Sequence, residues 1–169
     1  MIAMAILSFF WWSARTNISE NKEAVIFDSI KVSDSLMSPG TPANWESLVD
    51  PMNMSTWANV QQIGLTKSWS INDTHVISID KVYKFRMMSL INYSYTKAKL
   101  RSRYDFFIEF ITLNSSYEER AKLNGTNFWA GRQYNEFTVK TIAKTDRVVI
   151  YNDSVAIMRF YAWSDSLWD

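Results

Sequence analysis

RVVIYNDSVAIMRFYAW, residues 147–163, decides the fold. Two runs rich in β-branched and aromatic residues, RVVIY (147–151) and VAIMRFYAW (155–163), flank Asn152 and Asp153, a pair suited to a tight turn. That pattern predicts a β-hairpin. Upstream, EFTVKTIA (136–143) and the aromatic YDFFIEFITL (104–113), bounded by the turn-prone NSS, supply further strands. The C-terminal third therefore reads as an antiparallel sheet of three or four strands.

Before the sheet, apolar residues recur at three- and four-residue steps: Ile79, Val82, Tyr83, Met87, Leu90, Ile91, Tyr95 and Ala98. This spacing predicts one amphipathic helix over 75–100, capped by Asp73 or Thr74. Lys81, Lys84, Lys97 and Lys99 are expected mostly on its other side. Residues 38–75 carry all three prolines and Trp45, Trp57 and Trp69, so they read as irregular chain pinned to the core by tryptophans.

The chain opens MIAMAILSFFWW. As a helix these twelve residues cover about 18 Å, short of the ~30 Å of a bilayer core. No Lys or Arg precedes the run, so it does not fit a signal peptide. It reads as the outer half of a longer apolar helix, with Trp11 and Trp12 at a water boundary. Ile2, Ile6, Leu7, Phe9, Phe10, Trp11 and Trp12 are the expected membrane or assembly contacts. Val25, Ser29, Val32 and Leu36 continue one face at helical spacing until Ser38, Pro39 and Gly40. The expected fold class is α+β: a long N-terminal helix, a second amphipathic helix and a small antiparallel β-sheet of three to four strands. Residues 1–37 form a membrane or assembly helix, and 38–169 an extracellular globular domain.

Seven Asn stand in N-x-S/T triplets: Asn17, Asn53, Asn72, Asn92, Asn114, Asn124 and Asn152. Roughly two would arise by chance at this composition. The excess points to a glycosylated surface outside the cell. Clustering of Asn, Ser and Thr in turns is the competing explanation. The chain has no Cys, which excludes disulfides and thiolate chemistry. With a formal net charge of +1 it lacks the basic stripe that nucleic acid requires. Partners are expected to be the membrane or sister subunits, reached through the N-terminal helix, and a glycan or surface protein.

Four stretches together resemble an archaeal type IV pilin-like surface protein of the class III signal peptide type. They are the apolar helix start, SPGTPANW (38–45), VQQIGL (60–65) and the closing RVVIYNDSVAIMRFYAW. The resemblance spans most of the chain. It implies an N-terminal helix that anchors or polymerises, a small α+β head, and a place in a filament or at the cell surface.

Residues for catalysis are sparse. His75 is the single His, so neither a zinc site nor a Ser-His-Asp triad has its parts. Glu118 and Glu119 are adjacent in an expected polar loop, unlike carboxylates that face one another across a cleft. No cofactor is expected. NFWAGRQY (127–134) brings Phe128, Trp129, Arg132 and Tyr134 together in an expected loop. There they serve either as stacking contacts for a sugar or partner protein, or as core anchors beneath the loop. The leading expectation is a non-enzymatic, pilin-like structural or adhesive subunit. The alternative is a membrane-tethered extracellular binding module that does not polymerise. A secreted hydrolase comes third.

Overall fold

A computed structural model describes residues 22–68, 75–114, 117–120, 122–123, 126–134, 139–151 and 153–165. In chain order the elements are α1 (22–36), α2 (Trp45–Leu48), a 3-10 turn (Met54–Asn59), α3 (Ile79–Ile91) and α4 (Tyr93–Leu100). The strands follow: β1 (Asp105–Asn114), β2 (Tyr117–Arg120), β3 (Lys122–Leu123), β4 (Thr126–Asn127), β5 (Trp129–Gly131), β6 (Val139–Tyr151) and β7 (Ser154–Asp165).

The main sheet is antiparallel, in the order β2-β1-β7-β6, with β5 also paired to β1. β3 and β4 pair separately. β6 and β7 form a hairpin whose last pair is Tyr151 with Ser154, and Asp153 between them takes a φ of 59°. The two runs read as separate strands, 136–143 and 147–151, are joined: residues 139–151 form one strand, β6, and 136–138 lie outside the described residues. Lys144, Thr145 and Asp146 continue the alternation between them without a break. Glu118 and Glu119, expected in a loop, lie in β2 opposite Leu113 and Thr112.

The expected fold class needs correction in its helices. The longest helix among the described residues is α1, fifteen residues over 22–36, in place of the long helix expected over 1–37, of which residues 1–21 lie outside the described residues. Ile2, Ile6, Leu7, Phe9, Phe10, Trp11, Trp12 and Asn17 lie outside the described residues. α1 is one-sided. Val25, Ser29, Val32 and Leu36 are buried, and Ser29 and Thr145 of β6 share a 2.6 Å hydrogen bond. At its C-terminal end Ser38 Oγ donates to Ser35 O, and Gly40 turns the chain with a φ of 84°. No helix among the described residues is long and apolar enough to cross a membrane.

The second helix is two helices. Asn92 ends α3 and caps α4: its backbone N–H donates to Met88 O, and its side-chain Oδ1 accepts from Tyr95 N–H at 3.0 Å. α3 is capped by Ser78; Asp73 and Thr74 lie outside the described residues. The buried face of α3 is also not the expected one. Val82 is buried, but Ile79, Tyr83, Leu90 and Ile91 are exposed; Lys81, Phe85, Met88 and Ser89 take the core positions.

Lys81 explains the rotation. Its ammonium is fully buried and donates to three backbone carbonyls, Pro39 at 2.8 Å, Ala43 at 2.6 Å and Thr66 at 2.9 Å. Glu46 sits 3.6 Å away as its counter-charge. The irregular segment 39–66 therefore closes around one cation. Trp45 Nε1–H donates to Gly64 O and Trp57 Nε1–H to Asp50 O, so both buried indoles pin this segment as expected. Trp69 is outside the described residues.

One apolar cluster joins Val25, Val32 and Leu36 of α1, Trp45, Trp57 and Ile63, Phe85 and Met88 of α3, and Phe106, Phe110, Met158 and Phe160 of the sheet. Phe106 stacks on Phe85, Tyr93 and Phe160 at centroid distances of 6.0, 5.1 and 6.1 Å.

Candidate functional site

Strand β1 is buried on both faces. Phe106, Ile108 and Phe110 enter the main core, while Phe107, Glu109 and Ile111 point to the other side of the sheet by the two-residue alternation. A carboxylate there must be paired to be tolerated. Arg120 Nε donates to Glu109 Oε2 at 2.6 Å, and the Tyr161 hydroxyl donates to Oε1 at 3.3 Å. Across the sheet Arg159 binds Asp146 through two hydrogen bonds, 2.9 and 3.0 Å. That guanidinium is the main reason the Asp146 carboxyl is held below its ordinary range. Burial, with Glu109 beside it, pushes the Tyr161 hydroxyl up to about 12.

Beside this network lie two clefts that share Gln133. One, of about 290 Å³, is lined by Phe107, Arg120, Gln133 and Tyr134. The other, of about 430 Å³, is lined by α3 and α4 residues Ser89, Leu90 and Tyr93 and by Trp129, Gly131, Arg132 and Gln133. Trp129 faces Phe107 at 6.1 Å and carries the Arg86 guanidinium 6.0 Å from its ring centre. Tyr134 packs on Tyr161 and Trp163, each at 5.6 Å.

The four expected contact residues of NFWAGRQY are thus divided between core and clefts. Phe128 is fully buried against Phe110 at 5.1 Å and is a core anchor. Trp129, Arg132 and Tyr134 line the clefts. The Arg132 guanidinium is largely exposed and reaches Asp105 at 3.0 Å, where Lys97 also binds at 2.8 Å. Phe107, Arg120, Gln133, Leu90 and Tyr93 were not found from sequence. The available signal was Glu109: an acid at the centre of an aromatic strand marks a second, functional or paired, face.

Of the glycosylation candidates, Asn53 is exposed, and its side chain accepts from Ser55 of its own triplet. Asn92 is half-buried and occupied as a helix cap. Asn114 ends β1, paired with Tyr117. Asn72, Asn124 and Asn152 lie outside the described residues. His75 is exposed, and its carbonyl accepts from Ile150 N–H. No group of three or more His, Asp or Glu placed to hold a metal occurs among the described residues.

No protein-family model, no curated protein and no solved structure matches the chain.

The phenols predict an alkaline limit to stability. Burial raises Tyr93, Tyr151 and Tyr161 above the usual 10.0. The unfolded chain sheds these protons first, so their contribution is whole below pH 10 and is lost as pH rises toward the folded values. Urea midpoints measured from pH 8 to 11.5 should fall above about pH 10. Tyr161→Phe should flatten part of that fall; an unchanged slope would show that Tyr161 titrates normally.

Proposed function

We propose that this chain is a non-enzymatic protein of the cell surface that works by contact, with the contact made at the two clefts beside β5. The observation that carries the reading is the gathering of Trp129 of β5 with Arg132, Gln133 and Tyr134, which follow it, around the two clefts. Aromatic faces bind the C–H faces of sugar rings, while amide and guanidinium groups bind hydroxyls; the ligand class that fits is a carbohydrate. Arg120, paired with Glu109, supplies a further guanidinium to the wall of the smaller cleft.

The test is binding of the full chain to an array of surface glycans. Trp129→Ala should weaken the captured interaction about tenfold, or about 1.4 kcal/mol. Absence of any glycan above background, or a Trp129→Ala variant that binds as wild type does, would sink the reading. Capture of a protein ligand alone would replace carbohydrate by a protein partner.

A pilin-like assembly subunit is the second reading. The feature that favours it is on α1, where Phe27 is 77% exposed and Ile26 and Ile30 lie open beside it. Apolar residues left uncovered on a helix suit sister-subunit packing. Negative-stain microscopy of native material separates the two: filaments support assembly, and isolated particles support the tethered module.

A further inference from the structure

β6 is the outer strand of the main sheet, and one of its edges pairs with β7. On the opposite edge Ile150 exchanges backbone hydrogen bonds with the 75–77 segment: Ile150 N–H donates to His75 O, and Ile77 N–H to Ile150 O. By the two-residue alternation, the N–H and C=O groups of Val148, Asp146, Lys144 and Ile142 face the same way. Among the described residues, no strand pairs with them there. Such an edge is a template for another strand.

Its sequence chooses the partner. Turned about a two-fold axis through Thr145, the edge meets itself with Lys144 opposite Asp146 of the other copy, twice. Ile142 then falls opposite Val148, also twice. Residues with outward backbone groups meet residues with outward backbone groups, as an antiparallel ladder requires. Shifting the axis to residue 144 or 146 instead places like charges directly opposite, which is unfavourable. Ile142 and Val148 are 43% and 65% exposed, so the register also covers uncovered apolar surface. The axis stands perpendicular to the sheet, so both copies of α1 come to the same face. The groove of about 520 Å³ lined by Ile26, Ile30 and Ile142–Arg147 then borders the junction.

We propose that a second copy of this chain docks antiparallel on the β6 edge over residues 142–148, centred on Thr145, to form one continuous sheet across a two-fold dimer. This surface is separate from the β5 clefts and does not depend on what they bind.

The experiment uses the full chain. Light scattering after size exclusion should show a dimer. Lys144→Glu sets like charges opposite each other at both symmetry-related positions, and should raise the dimer dissociation constant about tenfold, while the melting curve at monomer concentration falls only by the small worth of the exposed 3.7 Å Lys144–Asp146 pair within one copy. The chain has no native Cys, so Thr145→Cys gives a unique probe. Facing residues at a non-hydrogen-bonded pair lie about 4.5 Å apart at Cα, within disulfide reach, so mild oxidation should give a covalent dimer. A strictly monomeric protein overturns the proposal. So does a dimer insensitive to Lys144→Glu, or one that Thr145→Cys does not cross-link. Glycan binding measured on the same samples keeps failure here distinct from failure of the cleft reading.

Discussion

Replacing Lys81 by Met is expected to destabilise the protein by about 3–5 kcal/mol. Methionine keeps the length and most of the volume of the side chain, so the change isolates the ammonium. Three carbonyls, buried at Pro39 and Thr66 and partly buried at Ala43, lose their donor together, and Glu46 loses its counter-charge. Each acceptor left without a partner costs about 1–3 kcal/mol. Whole domains are stable by only about 5–15 kcal/mol, so this one group holds a large share of the margin. Thermal unfolding followed by circular dichroism should show Tm lower by about 10 °C or more. Lys140→Met, on the exposed side of β6, should change stability by less than about 0.5 kcal/mol. A Lys81→Met variant within 1 °C of wild type would mean that segment 39–66 is held by its tryptophans alone.

The same substitution has a pH signature. Burial pulls the Lys81 pKa below 10.5, and Glu46 pulls it partly back. In the window between the lowered value and 10.5 the unfolded chain binds more protons than the folded one, so stability from this group rises with pH. Wild type should therefore gain on Lys81→Met as pH climbs toward 10. A gap that stays constant up to pH 10 would mean that burial does not lower the Lys81 pKa.

The hairpin could be read from residues 147–163 because strand burial is a two-residue pattern written locally: apolar runs, a turn pair, apolar runs. The helices could not be read so directly, because tertiary contacts chose their faces. Lys81 has the composition of a solvated position, yet it is buried because carbonyls from a distant irregular segment converge on it. Nothing in its own neighbourhood announces that, and it turns α3 away from the face on which Ile79, Tyr83 and Leu90 were expected to be core. Asn92 illustrates the reverse problem. It counts toward the glycosylation triplets, but its amide closes the junction of α3 and α4. In part, a cluster of Asn and Ser marks where backbone groups need capping.

The candidate site was half legible. NFWAGRQY does mark the clefts, as a three-residue strand, Trp129–Gly131, followed by irregular chain over 132–134. Alternation sends Phe128 to the core and Trp129 outward. The partners come from elsewhere in the chain: Phe107 from β1, Tyr161 from β7, and Leu90 and Tyr93 from the helices. Sequence proximity finds one wall of a cleft, and the pairing of β5 with β1 and the packing of α3 and α4 beside it supply the others.

That pairing rests on Gly131. Its φ of 98° lies in a region that L-residues with a Cβ rarely adopt. A Cβ added there would lie 2.3 Å from the Phe106 carbonyl oxygen and 2.9 Å from its ring. This carbonyl also accepts the Arg132 N–H at 2.9 Å, and the Gly131 N–H donates to Ser89 Oγ at 3.2 Å. Backbone lies on the crowded side, so no side-chain rotation relieves the clash. Gly131→Ala must therefore push β5 away from β1, at a cost of about 3 kcal/mol or more once conformational strain is added. The displacement carries Trp129 out of register with Glu109 and moves Arg132 and Gln133 with it, so both clefts change shape together. The variant should show a lower urea midpoint, and any ligand captured by wild type should be lost at temperatures where the variant is still folded. Ser89→Ala removes only the single hydrogen bond and should lower stability by about 1 kcal/mol with binding retained. If Gly131→Ala binds as wild type does, the clefts beside β5 are not where this protein makes contact.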